Sequence, residues 1–491
     1  MAYLAIDLGA GSGRAIVGFI ENGKLRLEEI HRFVNPPVEM GGTLYWNFLS
    51  LFADIKEGIR LSIKKGYQLQ GIGVDTWGVD YGLVDNSGKL LANPVCYRDK
   101  RTTGLSQKMT EIISPEKLFS ITGIQQMEIN TLFQAYSQIL GQDKSLQIAD
   151  RLLFMPDLIN FFLTGKAFNE YTIASTSQLL HAHEKAWSEE IIVGLGLPSR
   201  LMGKIVFPGE PIGKLTKEIE HETGALGVKV FSVGSHDTAS AIGAIPEEGD
   251  DWAFLSSGTW SLLGKLSDNP ILDNKALEHD FTNEGGVNGK ILFMRNITGL
   301  WLLQRLVAEW ENEEGEKTDY DALLSKTASS QPFGGVVDPD NASFNHPESM
   351  TEAIRQFCRQ TQQPIPSDKG ELARCVIESL ALKYRTVLDK IAQCTGKPVN
   401  RLHMVGGGSR NRMLAQYTAN ALNMQVTTGL TEGTAVGNIM QQAIGYGEVK
   451  DWREGHSIIR NSFAFETFSP ENSERWASFF AQKETLFKKN R

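Results

Sequence analysis

The sequence predicts an α/β protein of two domains that share one opening architecture. Residues 3–20 read as a strand, a glycine-rich turn and a second strand, and the same succession returns at residues 253–264. A charged, glycine-containing break, Glu247-Glu248-Gly249-Asp250-Asp251, separates the two occurrences. It sets the expected boundary, a first domain over 1–246 and a second over 247–491. Between residues 401 and 443, short apolar runs alternate with segments of helical period, as strands and helices do in an α/β layer.

Taken in order, Tyr3-Leu4-Ala5-Ile6 is uniformly apolar and reads as a buried strand. Asp7 to Arg14, with glycines at 9, 11 and 13, forms the turn, and residues 15–20 form the second strand. Asn22-Gly23 is a two-residue hairpin signal, since both residues tolerate positive φ, and residues 24–30 alternate as a third strand. Residues 48–65 carry the period of an amphipathic helix. Residues 69–74 form a strand ending in Asp75-Thr76-Trp77-Gly78-Val79-Asp80, and residues 81–84 form another. Residues 105–165 are expected to be mainly helical. Residues 229–233 form a strand that runs into Gly234-Ser235-His236-Asp237 and opens a helix of small residues.

In the second domain, strands at 253–255 and 260–264 flank the tip Ser256-Ser257-Gly258-Thr259. An amphipathic helix follows Asn296. Residues 401–405 form a strand, Gly406-Gly407-Gly408 begins a turn, and residues 413–422 form a helix. A strand at 424–428 and a small-residue helix at 433–443 complete the series.

Composition narrows the function classes. With 491 residues, 41% apolar and 22% charged, the chain can bury two cores and is too apolar to be disordered. The net charge of -9 argues against broad nucleic-acid binding, which is electrostatic, but not against a phosphate site built locally from backbone N–H groups. The N-terminus lacks a basic segment and Asp7 interrupts its apolar run, so no signal peptide is expected. The apolar stretch around 158–163 is far shorter than the ~20 residues of a membrane helix. Cys96, Cys358, Cys375 and Cys394 form no CxxC pair and no zinc-spaced cluster, which fits reduced thiols in the cytoplasm. Pairing of Cys358 with Cys375 stays open. Spacing also excludes two nucleotide motifs. A dinucleotide fold needs GxGxxG before a helix, whereas a strand follows Gly13, and the P-loop lysine is missing.

Two small-residue hairpin tips, one per domain, suit a polyphosphate, because small side chains let exposed backbone N–H groups approach its oxygens. Ser12 and Thr259 add hydroxyl donors, and Asp7 offers a carboxylate to Mg²⁺. The alternative for each tip is a plain tight turn. Gly406-Gly407-Gly408, between a strand and a helix, suits either a nucleotide edge or a turn that needs positive φ. Asp237 reads as a helix N-cap or as a base that takes a hydroxyl proton. The segment from Asp75 to Asp80 combines acceptors with an indole, as a sugar site does, or packs Trp77 into a core. Arg98 and Asp99 read equally as a surface ion pair. Asn296 reads as a helix cap, with Gln304 eight residues on, on roughly the same helical face.

The ordered set Asp7-Leu8-Gly9-Ala10, Asp75-Thr76-Trp77-Gly78-Val79-Asp80, Tyr97-Arg98-Asp99, Ser235-His236-Asp237-Thr238, Ser257-Gly258-Thr259-Trp260-Ser261, Thr282-Asn283-Glu284-Gly285-Gly286, the run from Asn296 to Gln304, and Gly406-Gly407-Gly408 resembles the FGGY carbohydrate kinases over nearly the whole chain. The likeness is greatest to the branch that acts on L-rhamnulose. It implies two actin-like (ribonuclease H-like) domains with an interdomain cleft, the first mainly sugar-binding and the second mainly ATP-binding. It implies transfer of a phosphoryl group from ATP, with Mg²⁺, to the 1-hydroxyl of L-rhamnulose; a cytoplasmic monomer is expected. By this resemblance Asp237 is the proton acceptor. Gly78, His236, Thr238 and Asn296 contact the sugar, while Ala10, Gly11, Ser12, Gly13, Arg14, Thr259, Gln304 and Gly407 contact the nucleotide. Gly11 stands where that branch has serine, which removes a side-chain donor and keeps the backbone one. Another ketose such as L-fuculose as substrate, a non-catalytic sensor on the same fold, and a nicotinamide-dependent oxidoreductase are the alternatives.

Overall fold

The structure is a computed structural model that describes residues 1–345 and 347–487. The chain forms two compact units. The first comprises Met1–Glu247, Leu266–Phe293 and Glu432–Phe463, and the second comprises Glu248–Lys265, Met294–Thr431 and Ala464–Arg491. A single cut at 246/247 does not reproduce these units, because two later segments pack into the first.

The first unit is built on a six-stranded sheet in the order Pro211–Lys214, Lys229–Phe231, Leu69–Thr76, Ala2–Leu8, Ser12–Glu21, Lys24–Val34. Ala2–Leu8 runs antiparallel to Ser12–Glu21 and parallel to Leu69–Thr76, which runs parallel to Lys229–Phe231. The first two strands extend further than the sequence suggests, so the turn contains only residues 9–11 and Asp7, Ser12, Gly13 and Arg14 lie in strands. Leu4, Ile6, Val17, Ile72 and Val74 are buried with Ile55 and Ile59 of the helix Phe48–Lys64. Burying side chains of this size contributes about 1.5–3 kcal/mol each. Asn47 caps that helix by accepting a hydrogen bond from Ser50 N.

The late helix Gly433–Tyr446 covers the same sheet. Gln442 Nε2 donates to Leu4 O at 3.0 Å, and a Cβ added at Gly71 would lie 2.8 Å from Gln442 Oε1. The strand glycines therefore let this helix lie close on the sheet.

In the second unit, Trp252–Ser257 pairs antiparallel with Trp260–Ser267 and parallel with Arg401–Val405, which pairs parallel with Gln425–Thr428. This repeats the opening of the first unit, with a hairpin beside a parallel strand. The tip is again shorter than the sequence suggests, only Gly258–Thr259. Val336, Leu382, Ala421, Trp476 and Phe480 form a core beneath the long helix Lys369–Thr395.

Two further expectations change. Residues 105–165 are not all helical, because Ala149–Phe154 is a strand paired with Tyr81–Asp85. Asn296 is no helix cap. It lies inside the strand Ile291–Thr298, and the helix begins at Trp301.

All four cysteines are free, with the Cys358 and Cys375 thiols neighbours in the buried interior. Among the described residues no helix is long and apolar enough to cross a membrane.

Candidate active site

Three parallel strands of the first unit end side by side, and ligands of open α/β sheets gather at such carboxyl ends. The register pairs Asp7 with Asp75 directly. Thr76 bridges to His236, with Thr76 N donating to Ser235 O at 2.9 Å, so the turn before the helix Asp237–Gly243 stands beside both acids. Asp7, Asp75 and Asp237 thus collect at one end of one sheet. His236 is the N-cap residue of that helix and Asp237 its first helical residue, so the cap reading of Asp237 does not hold.

The charges respond to one another. Burial raises the Asp7 carboxyl above the ordinary range, Arg14 opposes the shift and Asp237 adds to it. Asp75 is raised well above the ordinary range by burial and by Asp7. Asn438 Nδ2 donates to its Oδ2 at 2.5 Å, and its Oδ1 is buried without a hydrogen-bond partner. Asp237 is raised by burial and held back by His236 and Thr238, whose hydroxyl donates to Oδ1 at 3.1 Å. Its side chain is crowded yet still 32% exposed, unlike that of Asp7 at 8%, so Asp237 is the more accessible of the two acids. Arg14 spans Asp7 and Glu432, donating to both carboxylates.

His236 is fixed from behind. Its backbone N–H donates to Thr172 Oγ1 at 3.1 Å, and Thr172 Oγ1 donates to the buried Glu170 at 2.6 Å. Burial lifts the Glu170 carboxyl to about 7, although its oxygens also accept from Thr172 N, Ile173 N and Ser235 N.

Gly78 lies beside Thr176, 3.2 Å from where a Cβ would stand. The next residue, Val79, holds a φ of 69°, which a β-branched side chain rarely adopts. Thr176 Oγ1 accepts from Val79 N at 3.1 Å and Thr131 Oγ1 donates to Val79 O at 2.6 Å, pinning the strained peptide on both sides.

Part of the expected sugar-binding segment is structural. Asp80 is buried and accepts from Trp46 Nε1 at 2.6 Å, Trp77 Nε1 at 3.0 Å and Gln134 Nε2 at 2.9 Å, while Trp77 packs in the core. Asp99 caps a short turn by accepting from Arg101 N, and Arg98 lies over the Tyr97 ring, so these two show no surface ion pair. Gly13 has a packing reason to be glycine, since a Cβ there would collide with Phe33. Gly11 has open space instead.

In the second unit, the tip, the start of the helix Trp301–Glu314 and the 406–408 turn are one assembly. Leu300 N donates to Gly258 O at 2.9 Å and Gly299 N to Thr259 O at 3.1 Å. Thr259 Oγ1 donates to Gln304 Oε1 at 3.1 Å. Gly406 has φ 82° and a Cβ there would lie 2.7 Å from Ser257 O, while a Cβ on Gly408 would collide with the Ser257 side chain. Gly407 between them faces open space. Thr259 and Gln304 are thus joined directly, and Gly407 lies in the turn packed on the base of the same tip. Asn296 belongs to the second unit, and Gly78, His236 and Thr238 belong to the first.

Among the described residues no group of three or more His, Cys, Asp or Glu side chains is arranged to hold a metal ion. A divalent cation that arrives with a polyphosphate needs only one or two carboxylates, and the orphaned oxygen of Asp75 beside Asp7 suits that mode. Sequence reading did not single out Glu284 or Glu432. Glu284 falls within a quoted motif, while Glu432 carries no local signal beyond its place before a helix.

Comparison with known proteins agrees with the fold. The model of the FGGY family of carbohydrate kinases, N-terminal domain, matches residues 2–243, and that of the C-terminal domain matches residues 253–446. A rhamnulokinase of Bacteroides thetaiotaomicron is 42% identical over 96% of this chain and 97% of its own length. A rhamnulokinase of Bacillus subtilis is 36% identical over 99% of both. Among solved structures, a gluconate kinase from Lactobacillus acidophilus superposes with a TM-score of 0.81 at 16% identity, over 99% of this chain and 98% of that one. A Plasmodium falciparum glycerol kinase with ADP superposes at 0.79 and 15% identity, over 100% and 99%. At these identities the two structures speak for the fold, an α/β arrangement of two actin-like domains.

Proposed function

Because this chain belongs to the FGGY family of carbohydrate kinases, we propose that it transfers the γ-phosphoryl group of ATP to the 1-hydroxyl of L-rhamnulose, giving L-rhamnulose 1-phosphate and ADP. The observation that carries the chemistry is Asp237, an accessible carboxylate at the end of three parallel strands, with His236 and Thr238 beside it. The near full-length likeness to rhamnulokinases supports the choice of ketose.

In this reading Asp237 removes the proton of the 1-hydroxyl, the oxygen attacks the γ-phosphorus, and the β–γ P–O bond breaks to release ADP. Such a base contributes roughly 10²–10⁴-fold. Gly78, His236, Thr238 and Asn296 orient the sugar. Backbone N–H groups at Ala10, Gly11, Ser12 and Gly13, together with Arg14 and Thr259, meet phosphates, and Gln304 and Gly407 meet the nucleoside. Asp7 would hold, directly or through water, an Mg²⁺ that arrives with ATP, and the ion would neutralise phosphate charge. The reaction takes place in the cytoplasm, where ATP is abundant and the four cysteines stay free.

The test is ADP release from the purified protein with ATP, Mg²⁺ and L-rhamnulose, beside L-fuculose and related ketoses. L-Rhamnulose is expected to give the highest kcat/KM, and Asp237→Asn to lower kcat by about 10²–10⁴-fold with sugar binding retained. Faster turnover of L-fuculose overturns the substrate. Tight binding of ATP and sugar without any ADP overturns the reaction.

A further inference from the structure

Glu284 has no role in the reading above, yet it faces its centre. The carboxylate lies in the buried strand Thr282–Gly285, with Oε2 3.2 Å from His236 Nδ1, close enough for an ion pair though not aligned as a hydrogen bond. On the other side of the ring, Nε2 lies 3.5 Å from Asp237 Oδ1. The imidazole therefore sits between two carboxylates. A neutral ring has a single N–H and would turn a lone pair toward one of them, whereas a doubly protonated ring presents an N–H to each.

Both ends of this arrangement stand on fixed backbone. Gly285 N donates to Ser175 Oγ at 2.7 Å and Asn283 N to Gly123 O at 2.8 Å, so the strand carrying Glu284 is anchored on either side of it. His236 N is held by Thr172. Rigid support of this kind keeps a side chain in one orientation.

We propose that Glu284 is a positioning residue for phosphoryl transfer, pinning the His236 ring so that Nε2 carries a proton toward Asp237 and the acceptor hydroxyl. The inference rests on the sugar-kinase reading of the site and deepens it. A fixed cation beside Asp237 favours its ionised, base-competent form in a place where burial, and more weakly the charge of Glu284 itself, oppose ionisation. The groups facing the ring are Glu284 from its strand, Asp237 from the helix and Glu170 from behind. Burial disfavours the charged imidazole, but the three carboxylates outweigh it and hold the ring above its ordinary value. Such a group keeps its proton to higher pH than a free imidazole does, so the activity it supports is lost on the alkaline side.

The experiment is an NMR titration of the histidine side chains in the full-length protein, with His236 assigned from the signal missing in His236→Gln, run beside a pH profile of kcat/KM for L-rhamnulose. In the unaltered protein the His236 midpoint is expected above about 6.5. In Glu284→Gln the midpoint and the alkaline limb of the profile are both expected about one pH unit lower, with kcat near pH 7.5 reduced roughly tenfold and the KM for ATP unchanged. A His236 midpoint at or below the ordinary value in the unaltered protein overturns the inference, whether or not the variant folds. So does a folded variant with both quantities unmoved. Failure of the kinase reading shows separately, as no ADP formed by the unaltered protein.

Discussion

At residues 9–11 the chain turns between strands whose ends carry Asp7 and Arg14, and at Gly258–Thr259 it turns between strands whose ends carry Ser257 and Trp260. The strand order around the two tips is the same, and what holds them differs. The first is tied by ions, with Arg14 spanning Asp7 and Glu432 next to Asp75 and Asp237. The second is tied by backbone, with Leu300, Gly299 and Gly406 packed against it at distances only glycine or a main-chain hydrogen bond permits. One topology thus yields one tip held by ion pairs and one held by backbone contacts.

The comparison can be broken in three places. The largest effect is expected from Arg14→Met, which leaves Asp7 facing Asp75 and Asp237 without its cation. The loss is on the order of 3 kcal/mol, read by denaturant unfolding. Its sign with pH follows from Asp7. The folded-state carboxyl lies above its unfolded value and rises further without Arg14, so the variant keeps its stability below the unfolded value near 3.8 and loses it as pH rises through the folded one. A destabilisation equal at pH 5 and pH 8 would contradict the ionic account.

Gly406→Ala comes next. The new methyl meets Ser257 O at 2.7 Å in a backbone conformation with φ 82°, for a loss of about 2 kcal/mol, or roughly 4–8 °C in Tm. Here the loss is expected to be independent of pH. The smallest change sharpens the contrast. Gly11→Ala and Gly407→Ala each enter open space, so stability should shift by under about 0.5 kcal/mol in both. Only Gly407→Ala is expected to raise the KM for ATP several-fold, since its surface is the one assigned to the nucleoside. Equal KM values would remove Gly407 from that surface.

Much of this was legible locally. The strand–tip–strand runs, the helix at Phe48–Lys64 and the turn into Asp237 follow from periodicity and small residues within a dozen positions. The misses have physical causes. Ala149–Phe154 runs into the helix Met155–Thr164 through the apolar residues 152–155, and pairing with a distant strand decides where it becomes helical. Asn296 sits five residues ahead of Trp301, near enough to resemble a cap, while strand pairing claims it. Asp80 looks like a ligand for hydroxyls until its carboxylate is seen already taken by two indoles and an amide. Arg14 and Glu432 are 418 positions apart, and no local pattern can join them.

The helix Gly433–Tyr446 has a further consequence, for synthesis on the ribosome. It completes the first unit, supplying Asn438 to Asp75 and Gln442 to Leu4, yet it is made roughly 200 residues after Glu247. At about 5–20 residues per second, one face of the opening sheet waits some 10–40 s for its cover. During that interval its glycine-lined strands stay open to chaperones or to a neighbouring nascent chain, and the acids of the site cannot settle until translation is nearly over.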